Sequence, residues 1–137
     1  MTKITVAATI NAPVQQVWKA WVTPADIMNW NTADPSWHCP ASENDLRVGG
    51  KFTTRMKAKD GSFGFDFEGT YNKVDEYKEI TYTMADGRVA TTLFSEKDGK
   101  TLVETTFDAE TQNPVEMQKG GWQAILNNFA NYVEGKN

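Results

Sequence analysis

Cysteine is almost missing from this chain of 137 residues: Cys39 stands alone, which excludes an internal disulfide and fits a reducing compartment. Histidine is as scarce, with His38 the only one. A structural zinc site wants about four nitrogen or sulfur ligands, so no metal is expected. No apolar run approaches the roughly 20 residues of a membrane span, so no membrane insertion is expected either. No run of Lys or Arg interrupts a net charge of −4, which argues against nucleic acid as a partner. The chain opens directly on an alternating segment rather than a signal peptide. The expected setting is the cytoplasm, and no cofactor is implied. What the chain does have is rings: 12% of its residues are aromatic, five of them Trp, more than packing alone asks of so small a domain.

The length sets a single domain, 1–137, able to bury a core. In residues 3–10, Ile4, Val6, Ala8 and Ile10 share one face of a strand. Asn11 reads as the cap of a first helix over 13–22, with Pro13 in its first turn. Thr23-Pro24 restarts the chain as a short second helix carrying Ile27, Met28 and Trp30. Residues 31–45 are long, polar and contain Pro35 and Pro40, so they read as a functional or mobile loop. Strands follow over 46–59, 63–74, 79–84, 88–96 and 100–108. Asp60-Gly61, Asp86-Gly87 and Asp98-Gly99 mark hairpin turns between them. Residues 114–134 form a long amphipathic helix with Trp122, Leu126, Phe129 and Val133 at helical spacing.

Strands joined by tight turns are antiparallel neighbours, and their alternation leaves one sheet face wet and the other covered. Only the last helix is large enough to cover it. The expected fold is α+β: a curved antiparallel sheet of about six strands wrapped around a long C-terminal helix, with two short helices after the first strand. Such a packing leaves a gap between helix and sheet, where function is expected.

The residues that could work in that gap are mostly apolar. Trp30, Trp37, Met56, Phe65, Phe67, Tyr82, Phe107, Trp122 and Leu126 come from separate segments and would converge on one cavity. Tyr82, Thr105 and His38 would supply its polar points. Core filling is the bland alternative for each ring taken singly. His38 lies in the 31–45 loop, expected at the cavity mouth, where a near-neutral pKa would suit acid–base work. One histidine without an identified partner more often makes a local hydrogen bond. Neighbouring Cys39 would point the opposite way in extended chain and reads as a buried structural thiol. Asp66 and Glu68 hold the parity opposite Phe65 and Phe67, so they belong to the wet face; burying them unpaired would cost several kcal/mol. Arg47 and Arg55 read as solvated surface residues. Gly120-Gly121 would weaken the last helix by about 1 kcal/mol each and suggests close approach to a strand, room for a ligand, or a kink.

The chain resembles a known superfamily. Ile10-Asn11-Ala12-Pro13, Val17-Trp18-Lys19-Ala20-Trp21, Pro24 and Trp30 are similar to the opening of the SRPBCC or START-like helix-grip proteins. Gly49-Gly50-Lys51-Phe52, Met56, Asp60-Gly61, Gly69-Thr70-Tyr71, Gly121-Trp122, Leu126 and Phe129 resemble its branch named after the activator of a heat-shock-protein ATPase. The resemblance covers nearly the whole chain. It departs where Asp75-Glu76-Tyr77 replaces a usual proline pair, and where residues 31–40 are longer and more polar than typical. Specificity carried by that loop therefore does not transfer. The resemblance implies a deep cavity between helix and sheet for an apolar or amphiphilic small molecule. It implies no single activity, since the superfamily includes lipid carriers, cyclases, receptors and chaperone regulators.

Binding of a small apolar or amphiphilic ligand, by a monomer or weak homodimer, is the leading expectation because no catalytic constellation stands out. A cyclase- or hydrolase-type enzyme using His38 or Tyr82 is the second. Chaperone regulation is the third, because eukaryotic activators of the branch carry a further chaperone-binding domain for which this length leaves no room.

Overall fold

A computed structural model describes residues 2–135; Met1, Lys136 and Asn137 of the expected domain lie outside the described residues. The elements in order are β1 (Lys3–Ile10), α1 (Val14–Val22), α2 (Pro24–Trp30), β2 (Trp37–Asn44), β3 (Lys51–Ala58), β4 (Gly64–Asp75), β5 (Glu79–Met84), β6 (Val89–Lys97), β7 (Lys100–Asp108) and α3 (Val115–Val133). The strands form one antiparallel sheet in the order β1-β7-β6-β5-β4-β3-β2. The fold is the expected α+β helix grip, with seven strands. Sequence neighbours β1 and β2 sit at opposite edges, so α1 and α2 carry the chain from one edge to the other. Among the described residues, no helix is long and apolar enough to cross a membrane.

The extra strand corrects the reading of residues 31–45 as a loop. Trp37–Asn44 pairs with β3, from Trp37 opposite Ala58 to Asn44 opposite Phe52. It hid because the register shifts between His38 and Ala41, around Pro40. An edge strand tolerates a proline and a bulge, and both destroy the period-2 pattern.

The start of α1 is a second correction. Pro13, not Asn11, is the cap residue, and no side chain of its own segment caps the helix. Glu96 of β6 accepts the Val14 N–H at 2.7 Å instead. Asn11 donates its backbone N–H to Glu134 at 2.7 Å. Thr23 is the cap residue of α2, as its sequence suggests, but through backbone bonds alone.

Helix α3 lies along β1 and satisfies part of that otherwise open edge. Gln123 Nε2 donates to the Ala7 carbonyl at 3.0 Å, and Gln16 of α1 reaches the Val133 carbonyl at 3.3 Å. Covering an edge with a helix is one way proteins guard it against pairing with another chain. At the helix start, Gln118 donates to the carbonyls of Asn113 (2.8 Å) and Glu110 (3.1 Å) and accepts from the Glu110 N–H (2.9 Å). Along the other end of the helix, fully buried Phe129 makes edge contacts with Trp21 and Trp30 at centroid distances of 4.9 and 4.7 Å. Trp18 and Phe94 extend that cluster. At Gly120 and Gly121 a Cβ would meet nothing within 4 Å, which rules out close approach to a strand as their reason.

Two expectations follow. Gly120→Ala, in helical backbone with open space around it, should raise stability by about 1 kcal/mol and the melting midpoint by about 3 °C, read by calorimetry; destabilisation would reveal a contact the backbone does not show. The Asp108 carboxylate, buried at the β1–β7 edge, accepts from Lys3 Nζ at 2.6 Å and from the Val89 N–H at 2.9 Å, and these bonds hold its pKa below the usual carboxylate range. A pKa depressed by folding stabilises above the unfolded value, near 3.9, and that contribution disappears as pH falls through the folded value. Urea unfolding should therefore show Asp108→Asn weaker than the parent at about pH 7, with the gap closing below about pH 4. A gap unchanged by acid would contradict the assignment.

Candidate functional site

Between α3 and the inner face of the sheet lies a cavity of about 340 Å³. Alternation on each strand decides what faces it. From β3 come Phe52, Thr54 and Met56; from β4, Phe65, Phe67 and Tyr71; from β5, Ile80 and Tyr82. Thr92 and Thr105 face it from β6 and β7, and Trp122, Ile125 and Leu126 from α3. Trp21, Ile27, Trp30 and Asn31 close it from the α1–α2 side. Phe65, 42% exposed, stands at its open side.

The rings hold one another in edge contacts. Tyr82 meets Phe52 at 4.9 Å and Phe67 at 6.1 Å, and Phe67 meets Trp122 at 6.4 Å. Trp122 in turn stacks flat on Phe107 at 3.8 Å. Gly69 makes this wall possible: it lies opposite Phe52, and a Cβ there would come within 2.6 Å of the Phe52 ring. The β4 register shift between Tyr71 and Lys73 bends the strand beside the same wall.

Of the residues chosen from sequence, Trp30, Met56, Phe65, Phe67, Tyr82, Thr105, Trp122 and Leu126 line the cavity. Phe107 is fully buried behind Trp122 and does not. Trp37 and His38 also lie outside the lining, a correction to their expected place at the mouth. Because 37–44 is a strand, Trp37 is held against Phe63 and Phe65, each at 6.0 Å, while His38 lies opposite Lys57. Cys39 is a buried free thiol, its Sγ 3.6 Å from the Ala41 carbonyl, and burial pushes its pKa up. Asp66 pairs with Arg55 at 3.3 Å, and Arg47 with Asp45 at 2.8 Å, all four at the surface.

Sequence reasoning missed Phe52, Tyr71, Thr92 and Arg88. The signal for Arg88 was present: the Asp86-Gly87 turn fixes a register in which Arg88 shares the parity of Ala90 and Thr92. Its Nε donates to Asp86 Oδ2 at 2.7 Å and its Nη1 to the Asp108 carbonyl at 3.2 Å. Thr92 and Thr105 satisfy each other at 2.8 Å. Tyr71 and Tyr82 are directly opposed across β4 and β5.

Tyr82 is half-buried and lines the cavity. Its hydroxyl makes no hydrogen bond within the described residues. Burial drives its pKa well above the usual tyrosine value; neighbouring Tyr71 adds to the rise and the charge of Arg88 opposes it. Burial likewise pushes Tyr71 up to about 12. Both phenols are thus held as neutral groups, able to donate a proton in a hydrogen bond and not to lose it.

An α+β helix-grip protein with a lined hollow is the class that this geometry defines. The family model described as activator of Hsp90 ATPase homolog 1-like protein matches residues 11–134, and the chain belongs to that family. An AHSA1-like protein from Aeromonas hydrophila, solved in solution, is 45% identical, with a TM-score of 0.92 over 98% of this chain and 93% of that one. A protein from Cytophaga hutchinsonii is 50% identical, with a TM-score of 0.85 over 97% and 92%. A crystal structure from Chromobacterium violaceum shares the fold at 23% identity, with a TM-score of 0.87 over 98% and 99%. No curated protein matches the chain.

Ultraviolet titration of tyrosinate tests the state of the site. The parent and Tyr82→Phe should give superimposable curves up to about pH 11, since Tyr82 should not ionise in that range. Loss of a titrating phenol below that pH in the variant would contradict the raised pKa.

Proposed function

We propose that the chain binds a small apolar or amphiphilic molecule in the cavity between α3 and the sheet. The observation that carries this reading is the ring-walled cavity itself, with the Tyr82 hydroxyl open to it and without a protein partner among the described residues. A ligand oxygen in the cavity would accept the hydrogen bond that this hydroxyl otherwise donates to water. The surrounding walls are ring faces and aliphatic side chains with few polar points, the usual make-up of a small-molecule pocket. A volume of about 340 Å³ lies at the lower end of such pockets and favours a compact guest. In this reading the protein works in the cytoplasm as a monomer or weak homodimer, without nucleic acid or membrane insertion.

Acid–base catalysis has less support. His38 lies outside the lining, and a phenol with so high a pKa is no base near neutral pH. The family's description supports a second reading, regulation of a chaperone ATPase. Stimulation of a purified Hsp90-class ATPase by this chain would establish it, and an unchanged rate at saturating chain would dismiss it.

Thermal shift and native mass spectrometry against a diverse panel of aromatics, polyketides and lipids test the main reading. At a ligand concentration of 100 times Kd, stability should rise by about 2.7 kcal/mol. Ile125→Trp, which places a large ring in the cavity, should keep the fold and weaken binding at least about ten-fold. Silence of the parent across the panel would overturn the reading.

A further inference from the structure

Two of the cavity's polar side chains, Tyr82 and Arg88, are neighbours with donors to spare. Tyr82 lies opposite Ala90, and Arg88 is two residues before Ala90 on the same face, which makes Tyr82 and Arg88 a diagonal pair. Such neighbours are about 7–8 Å apart at the backbone, within reach of long side chains. A guanidinium carries five N–H groups and no acceptor. Two are used within the protein, by Asp86 and by the Asp108 carbonyl, which leaves three without a partner among the described residues. Asp86 is ion-paired with the guanidinium through Nε alone, its other oxygen accepts the Arg88 backbone N–H, and its side chain is 54% exposed, while Asp108 is bonded to Lys3 and Val89. Thr92 and Thr105 are occupied with each other. The free groups here are therefore guanidinium N–H and a phenol O–H, and what complements them is an oxygen acceptor with more than one lone pair.

We propose that the ligand of this cavity is a compact carboxylic acid, its carboxylate held between the Arg88 guanidinium and the Tyr82 hydroxyl and its apolar body lying against the wall that Phe67 and Trp122 form. This rests on the ligand-binding reading and adds the class of ligand. A carboxylate accepts from a guanidinium through two oxygens, which a neutral amide of the same shape cannot do as well. An amine is excluded by the like charge of Arg88.

Matched acid and amide pairs test the class. 2-Naphthoate with 2-naphthamide, phenylacetate with phenylacetamide, and decanoate with decanamide are titrated at about pH 7.5, where the acids are ionised. Binding is read by Trp fluorescence and calorimetry. At least one acid should bind about ten-fold or more tightly than its amide, the loss expected for a charged hydrogen-bonded pair. Arg88→Gln should abolish that preference by weakening the acid far more than the amide. Tyr82→Phe should weaken the acid several-fold. Should Arg88→Gln fail to fold, Arg88→Lys keeps the charge without the planar fork and should reduce the preference in part. Absence of acid preference in every pair overturns the proposal. If neutral members of the wider panel still bind, the ligand-binding reading survives that result; if they do not, both fall.

Discussion

Helix α3 is pinned to the body of the protein by rings at two places, and everything else about the interior follows from that. Toward its N-terminal end, Trp122 stacks on Phe107 at 3.8 Å with the planes 10° apart. Toward its C-terminal end, Phe129 is wedged between Trp21 and Trp30. Rings are rigid and their contacts set a definite separation, so the helix can neither sink toward the sheet nor tilt away from it. Between the two anchors it presents only Ile125 and Leu126 to the cavity, and the curved sheet retreats beneath them. A hollow is the consequence of two fixed points on one helix over a bent surface.

The sheet divides the chemistry of that hollow. Phe52, Phe67 and Trp122 form walls that offer only faces and edges of rings. Arg88 and Tyr82 are neighbours where the β5–β6 turn brings a cation onto the inner face. Low local dielectric raises the cost of leaving such groups unmet and strengthens whatever meets them. Membership of the Hsp90-ATPase-activator-like family accounts for the frame.

Much of the fold was legible because its signals are local. The Asp-Gly pairs sit in the expected turns: Gly61, Gly87 and Gly99 have φ of 79°, 92° and 78°, and Asp98 joins Gly99 at 55° in a mirror-image turn. Inward parity was correct on β1, β5 and β7, where Ile4, Ile80 and Val103 are buried. What failed were places where a distant partner overrides local pattern. Trp37–Asn44 is a strand because β3 pairs with it, despite Pro40. The start of α1 is capped from β6 by Glu96, 82 residues away in sequence. Trp37 and His38 were assigned to the cavity from their place in an expected loop, and pairing with β3 takes them out of it. Arg88 was overlooked because a charge beside a turn ordinarily belongs to solvent.

By itself the sequence determined the alternation of the strands, the turns that join them, the single amphipathic helix and, through shared motifs, the family. Those depend on residues two to four positions apart, whose relations survive in any conformation of the rest. Tertiary structure alone decided that a void remains, where its mouth lies and which polar groups share it. Those depend on the volumes of rings brought together from opposite ends of the chain, and no local pattern encodes the distance between Trp122 and Phe67 or the company Tyr82 keeps.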